Sequence, residues 1–317
     1  MNTALQESNR CQLPTHSNTY DILLERFISS QDIADSSRAT YRRALQHFFQ
    51  WISRQSILNA TRKDILAYKD YLRDSDLSAY TISNYLTAVR RFFAWAEGER
   101  LFPNIARDIK GAKHKKGFKK EALTVSQVKE LLNSIDRSDV QGKRDYALVN
   151  LLVRCALRTI EVVRANIGDI SQESGEAILY IQGKGSDDCD AFVLLTPDTL
   201  KPIMDYLSYR KDKEDSDPLF TSLSNRNAGK RLDTRTIRGI VKSCLRNIGI
   251  DSNRLTAHSC RHTGITLALL GGSTLQEAQQ LARHADINTT TIYAHNIDRL
   301  TNAAERKIDR ILMQNEA

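Results

Sequence analysis

The sequence predicts two domains, an all-α unit followed by a larger unit of mixed α+β class that is mainly helical. Three observations predict this. A length of 317 residues exceeds one ordinary small domain. Four segments between residues 19 and 102 carry apolar side chains at helical intervals. After a lysine-rich stretch, two short β-like runs, Ala177 to Ile181 and Ala191 to Leu195, sit among further helical patterns.

Residues 1–18 are polar and mixed and read as a flexible leader without assigned structure. From Thr19 the pattern turns helical through Ile22, Leu23, Phe27 and Ile28. Asp35-Ser36-Ser37 offers an N-cap for a second helix carrying Tyr41, Leu45, Phe48, Phe49 and Ile52. Thr61-Arg62-Lys63-Asp64 starts a third, with Ile65, Leu66, Tyr68 and Leu72, and Ser78 to Gly98 forms a fourth with Ile82, Leu86, Val89, Phe92, Phe93 and Trp95. Residues 19–102 thus make one helical unit. Its cations Arg38, Arg42, Arg43, Arg62, Lys63, Arg90 and Arg91 are candidates for a face directed at phosphates, set against the ordinary alternative of solvated helix faces.

Residues 103–122 read as an interdomain linker. Pro103-Asn104 breaks the helix, and lysines including Lys113, Lys115 and Lys116 follow with almost no acid to offset them. The second domain, residues 123–317, opens with Thr124 capping a helix from Val125 to about Ile135. A strongly apolar helix from Gly142 then leads to Arg158 at its end, with Glu161 three residues on. The two β-like runs form a hairpin whose turn holds Gly183-Lys184-Gly185 and an acidic tip, Asp187, Asp188 and Asp190. Helices are expected from Pro197 to about Lys211 and from Thr234 to Ile248, and a last amphipathic helix lies within 301–314.

Composition narrows the function. The net charge of +8 favours a polyanionic partner, and nucleic acid suits it better than a membrane surface, since no amphipathic anchor or lipidation signal is present. No apolar run approaches a membrane span. Five scattered cysteines without a Cys-x-x-Cys pair suggest reduced thiols in a cytoplasmic protein and give no disulfide framework or zinc site.

The stretch from Thr256 to Tyr293 carries the chemistry. His258 and Arg261, three apart on a helix, project from one face, and His284 and Tyr293 follow at a spacing that a turn and a short helix can bring back to it. A guanidinium grips phosphate oxygens in a planar fork, an imidazole passes or donates a proton, and a phenol can become a phosphotyrosine. A lone tyrosine is ordinarily a packing residue and a lone histidine a surface or core group; His262 and His295 are assigned no role on that ground.

In this order, Arg158 with Glu161, Lys184 in its Gly-Lys-Gly turn, His258-x-x-Arg261-His262, His284 and Tyr293 resemble the tyrosine recombinases, the integrases of phages and transposons and the Xer-type enzymes. The resemblance spans essentially the whole chain. It implies a SAM-like core-binding domain at residues 19–102 and a catalytic domain whose C-terminal helix docks on a neighbouring protomer. It further implies a tetramer on double-stranded DNA, with an accessory DNA-bending or directionality factor as a possible partner and no metal or cofactor. In the implied reaction Tyr293 attacks a phosphodiester, Arg158 and Arg261 hold its oxygens with His284, His258 assists the phenol proton, and Lys184 protonates the departing 5′ oxygen. Glu161 is a supporting carboxylate. The expected function is site-specific recombination through a 3′-phosphotyrosyl intermediate, integrating or excising a mobile element. Its alternatives are Xer-type resolution of chromosome or plasmid dimers, a catalytically inactive DNA-binding protein on the same fold, and a type IB topoisomerase.

The chain departs from the family pattern at three places. Ala156 and Arg283 stand where glycine is usual, and acidic residues replace the basic ones that commonly follow the hairpin lysine.

Overall fold

The computed structural model describes residues 11–12, 17–113, 121–182, 191–301 and 304–313. They fall into two compact units, Met1–Gly117 and Phe118–Ala317. The protein is mainly helical with a small sheet, as its apolar periodicity predicts.

The first unit holds four helices, α1 (Ser17–Ser30), α2 (Asp35–Arg54), α3 (Arg62–Asp74) and α4 (Ala79–Gly98). Local chemistry sets their starts. Thr61 donates its backbone N–H and its hydroxyl to Asp64 Oδ2, both at 2.7 Å, and Ser78 Oγ accepts the Thr81 N–H at 3.1 Å. The Asp35 start differs from expectation: the residue at the cap position is Ala34, and Asp35 is already helical. The buried stripe is rich in aromatic rings, which meet edge to face: Phe27 with Phe92 at 5.7 Å and Phe49 with Phe92 at 5.2 Å. Two residues read as apolar-face members lie outside this core, Ile22 at 67% exposure and Leu66 at 42%, because the neighbouring Leu24 and Ile65 take the inward positions.

Residues 1–18 carry more structure than expected. Cys11–Gln12 (β1) pairs antiparallel with Asn59–Ala60 (β2), and Ser17 already belongs to α1. The stretch after Pro103 also packs on this unit, with Ile105, Ala106 and Ile109 in its core and Lys69 Nζ donating to the Lys110 carbonyl at 2.7 Å.

The second unit opens with α5 (Val125–Asn133), started by a reciprocal cap. The Gln127 N–H donates to Thr124 Oγ1 at 3.2 Å and the Thr124 N–H to Gln127 Oε1 at 2.9 Å. Then come α6 (Val140–Arg154), capped by Asp139, and the short α7 (Thr159–Arg164). The apolar helix expected to end at Arg158 stops at Arg154. The chain breaks through Cys155 and a left-handed Ala156 (φ 47°), which makes Arg158 the N-cap of α7.

A three-stranded antiparallel sheet follows, β3 (Ile170–Glu173), β4 (Glu176–Ile181) and β5 (Ala191–Leu194), in that spatial order. The expected hairpin is present as β4 and β5, paired Leu179 to Val193, and β3 is an addition. On β5 the pattern alternates, Val193 facing the core while Phe192 and Leu194 face out, whereas on β4 the adjacent Ile178 and Leu179 are both buried, together with Ile181.

The remaining helices are α8 (Pro197–Leu207), α9 (Thr234–Asn247), α10 (Ala257–Leu270), α11 (Leu275–Ala282), α12 (Asn288–Thr301) and α13 (Ala304–Met313). The apolar α6 lies at the centre, packed on α8 and α10. Gly264 permits the approach of α10. A Cβ there would overlap the Val153 carbonyl oxygen and meet the Ala156 Cβ at 3.2 Å.

Candidate active site

The site forms where the break between α6 and α7, the buried half of α10, the end of α11 and the start of α12 come together. Ala257 to Ile265 are buried except His258, which is half-buried, so α10 is an internal helix that carries polar side chains inside the protein. Buried polar groups need partners, and here Arg261, His262 and Thr263 find theirs in distant stretches of the chain.

Arg261 is 2% exposed. Its Nη1 donates to the Ala156 carbonyl at 2.7 Å and its Nη2 to the Ala282 carbonyl. One guanidinium therefore joins the α6–α7 break to the end of α11. Burial, then Arg158, lowers its pKa to about 10, which leaves it charged at neutral pH. Arg158 is more open, its side chain 30% exposed. Its N–H and Nη1 donate to Glu161 Oε2 and Oε1, both at 2.7 Å, and Nη2 reaches the Arg283 carbonyl at 3.4 Å.

Arg283 was not expected to join the cluster. It caps α11 in the left-handed conformation (φ 52°), the backbone that explains why glycine is usual there. Its side chain turns inward: Nη2 donates to Glu161 Oε2 at 2.8 Å and Nη1 to the Leu281 carbonyl at 2.7 Å. Glu161 is thus a wholly buried carboxylate between two guanidiniums. Burial pushes its pKa up, but Arg283 and the hydrogen bonds from Arg158 outweigh this and hold it below the usual carboxylate range.

His284 follows directly, its Nδ1 at 2.9 Å from the hydroxyl of the buried Thr290 on α12. Burial and then Arg261, Arg158 and Arg283 lower its pKa to about 4, so the imidazole is neutral at physiological pH. Its ring stacks beside Tyr293 at 6.3 Å between centroids. Tyr293 is 4% exposed and packs among Ala156, Ile265 and Ala282. Burial raises its pKa to about 12, opposed in part by Arg261. Its hydroxyl is hydrogen-bonded to Nδ1 of His262, a residue assigned no role from sequence. The His262 ring lies edge-on to His258, one helical turn earlier, at 4.5 Å. The signal for His262 was available: it stands four residues after His258, on the same helix face.

The expected residues Arg158, Glu161, Arg261, His284 and Tyr293 are therefore gathered in one place, and His258 adjoins them through His262. Lys184, like Lys115 and Lys116, lies outside the described residues. Of the first unit's cations, Arg42 pairs with Glu25 (2.7 and 2.9 Å) and Arg38 bonds Asp35 at 3.3 Å and the Gln31 carbonyl at 3.1 Å. Arg90 bonds Thr87 at 2.9 Å, Arg91 lies over the Tyr41 ring at 5.5 Å, and Arg62 bonds the Arg107 carbonyl. Arg43, Lys63 and Lys113 are exposed. Cys260 is fully buried, and burial pushes its thiol up to about 12, the state of a packing residue.

Three guanidiniums, two of them paired with one buried carboxylate, with a neutral imidazole and a phenol alongside, have the makings of phosphoryl transfer to a tyrosine. The phage integrase family model matches residues 121–299, and the model of the phage integrase N-terminal SAM-like domain matches residues 21–100. Tyrosine recombinase XerD of Proteus mirabilis is 29% identical over 286 residues, covering 87% of this chain and 88% of that relative. A tyrosine recombinase of Synechococcus elongatus is 30% identical over 230 residues, covering 72% of this chain and 71% of its own length. The solved structure of the XerH site-specific recombinase bound to palindromic difH substrate, a post-cleavage complex, shares the fold with a TM-score of 0.71. It is 21% identical and covers 90% of this chain and 85% of that one. The chain belongs to the phage integrase family and is a tyrosine site-specific recombinase.

Proposed function

We propose that the protein integrates or excises a mobile element by cutting and rejoining double-stranded DNA through a 3′-phosphotyrosyl link at Tyr293. The observation that carries the residue roles is the double clamp of Arg261 on the Ala156 and Ala282 carbonyls, which sets a guanidinium beside the Tyr293 phenol. A phosphodiester gains charge on its non-bridging oxygens in the transition state, and fixed cations stabilise that state more than the ground state. Arg158 and Arg261 take this role, His284 as a neutral imidazole donates one further hydrogen bond, and Glu161 orients Arg158. His258, on the helix face of Arg261, is the residue that the family resemblance implies for the phenol proton. Lys184 protonates the 5′ oxygen, and the free 5′ hydroxyl later reverses the step on a new partner strand. The bond energy is retained, so rejoining requires neither ATP nor metal.

Domain roles follow the same reading. The helical unit at 19–102 and the lysines of 103–122, among them Lys113, Lys115 and Lys116, contact the DNA backbone. Arg43, Lys63 and Lys113 are exposed for this. Arg38, Arg42, Arg62, Arg90 and Arg91 would exchange weak internal bonds for phosphates, and exposed ion pairs such as Arg42 with Glu25 contribute at most about 1 kcal/mol. On α13, Ile308, Ile311, Leu312 and Met313 are 55–77% exposed. Such an uncovered apolar face supports docking on a neighbouring protomer within a tetramer on DNA. An accessory DNA-bending or directionality factor remains a candidate partner. Among the described residues no helix is long and apolar enough to cross a membrane; a DNA substrate supports a cytoplasmic location. Xer-type dimer resolution is the second reading, favoured by the XerD relative in P. mirabilis.

The test is a metal-free incubation with duplex carrying the recombination site and a nick next to the cleavage position. The short fragment diffuses away, and a covalent adduct that survives denaturation accumulates. The wild type forms it and Tyr293→Phe does not. Specific binding with no adduct would support the DNA-binding alternative, and an adduct persisting in Tyr293→Phe would point to another tyrosine.

A further inference from the structure

We propose that His262 is a catalytic residue, the group whose Nδ1 accepts the phenolic proton of Tyr293 as its oxygen attacks phosphorus. The inference rests on Tyr293 being the nucleophile. His258, on the expected side of the Arg261 helix, was the natural candidate for this proton, yet the hydroxyl of Tyr293 is bonded to Nδ1 of His262. The two rings lie 5.4 Å apart between centroids at an angle of 34°.

The surroundings suit proton transfer. His262 is 7% exposed and Tyr293 4%, so water competes little for the hydroxyl. The titratable and charged groups facing the pair are His258 on the same helix, edge-on to His262, then His284 beside the phenol, and Arg261, the residue before His262 on α10. Burial raises the Tyr293 pKa, while Arg261 favours the phenolate. A buried phenol next to an imidazole needs a base within hydrogen-bond reach, and His262 is that base. In the step, the Tyr293 O–H bond breaks and its proton passes to Nδ1. The phenolic oxygen bonds to phosphorus, and the bond from phosphorus to the 5′ oxygen breaks, its electron pair leaving on that oxygen, which takes the proton that the proposed function assigns to Lys184. His262 must begin as the Nε2–H tautomer, with Nδ1 unprotonated. His258 lies one turn away, its ring edge-on to that of His262 at 4.5 Å, and is half-buried where His262 is buried.

The experiment uses the full chain and a duplex whose site has been selected by the protein's own binding, with a sulfur replacing the 5′ bridging oxygen at the cleavage position. The departing thiolate needs no proton from an acid and does not religate, so the adduct rate isolates attack by Tyr293. His262→Asn retains an acceptor near the Nδ1 position and removes the basicity. Its adduct rate is expected to fall roughly 10²-fold or more, and to lose the decline at acidic pH that wild type shows, with DNA binding unchanged. His262→Ala should be slowed at least as much. A His262→Asn rate and pH profile equal to wild type, a faster rate in His262→Ala, or loss of the acid decline in His258→Asn alone would each overturn the proposal. Nitrogen chemical shifts of the His262 ring in wild-type protein supply a check independent of variant folding. The Nε2–H tautomer, perturbed in Tyr293→Phe, is expected, and an Nδ1–H tautomer would overturn the proposal. If wild type itself forms no adduct, or Tyr293→Phe still does, it is the reading of Tyr293 that fails.

Discussion

Arg283 leaves α11 in the left-handed conformation and returns its guanidinium to the buried carboxylate of Glu161, 2.8 Å away and 122 residues earlier in the chain. A non-glycine residue in that conformation costs about 1–2 kcal/mol, and the ion pair offsets it. Glu161 in turn serves Arg158, whose backbone and side chain both donate to it. The departure from glycine at 283 therefore adds a third guanidinium to the site and links the α6–α7 break to the segment that carries His284.

Glu161 should be the most sensitive position of this group to stability. Glu161→Gln leaves Arg283, with only 12% of its side chain exposed, beside a neutral partner. Loss of one member of a buried pair costs roughly 3–5 kcal/mol. Urea unfolding should show a fall of this order. Arg283→Gly should lose less, because Arg158 still satisfies the carboxylate and glycine accepts the left-handed backbone.

Gly264→Ala should destabilise the second unit by roughly 1–3 kcal/mol, the usual range for overpacking. The added methyl would overlap the Val153 carbonyl oxygen, part of the rigid α6 backbone. Thermal unfolding will check it, and a melting temperature equal to wild type would mean that α6 and α10 separate easily.

Arg261→Lys should bind DNA but cleave it far more slowly. A lysine is a single point of charge and cannot hold the Ala156 and Ala282 carbonyls while directing a planar fork at a phosphate. Loss of one fixed donor from a transition-state site lowers rates about 10²–10³-fold. Adduct formation on a nicked duplex gives the rate, and a gel shift the binding.

The depressed pKa of His284 gives stability an acid-side dependence. In the unfolded chain the imidazole titrates near 6.5, and in the fold near about 4. Below the first value the unfolded state binds a proton that the folded state refuses, so stability is full above about 6.5 and is lost as pH falls towards 4. His284→Asn should flatten this part of the stability profile relative to wild type, measured by urea unfolding at a series of pH values. An unchanged slope would show that the cations around His284 do not act on it.

Much of this molecule could be read in advance. Apolar periodicity placed the four helices of the first unit, Thr124 marked the start of the second, and two short β-like runs marked β4 and β5. The chemical constellation was legible because its members are chemically unlike and occur in a fixed order, and one helical turn relates His258 to Arg261. The same spacing logic reaches His262, but a histidine four residues along a helix is ordinarily a packing residue. Only the placement of Tyr293 against it distinguishes the two.

What the sequence determined by itself is what short-range physics controls: element type, caps, the charge that favours DNA, and the kinds of side chain available for phosphoryl transfer. What the tertiary structure decided is how those side chains are used. The left-handed turns at Ala156 and Arg283, the clamp of Arg261 on two carbonyls, the burial of Glu161 between guanidiniums and the contact of Tyr293 with His262 all join stretches far apart in the chain. Such contacts depend on how helices pack around Gly264, and no local pattern encodes them, because each forms only when distant backbone groups arrive with unsatisfied hydrogen-bonding capacity in the same buried space.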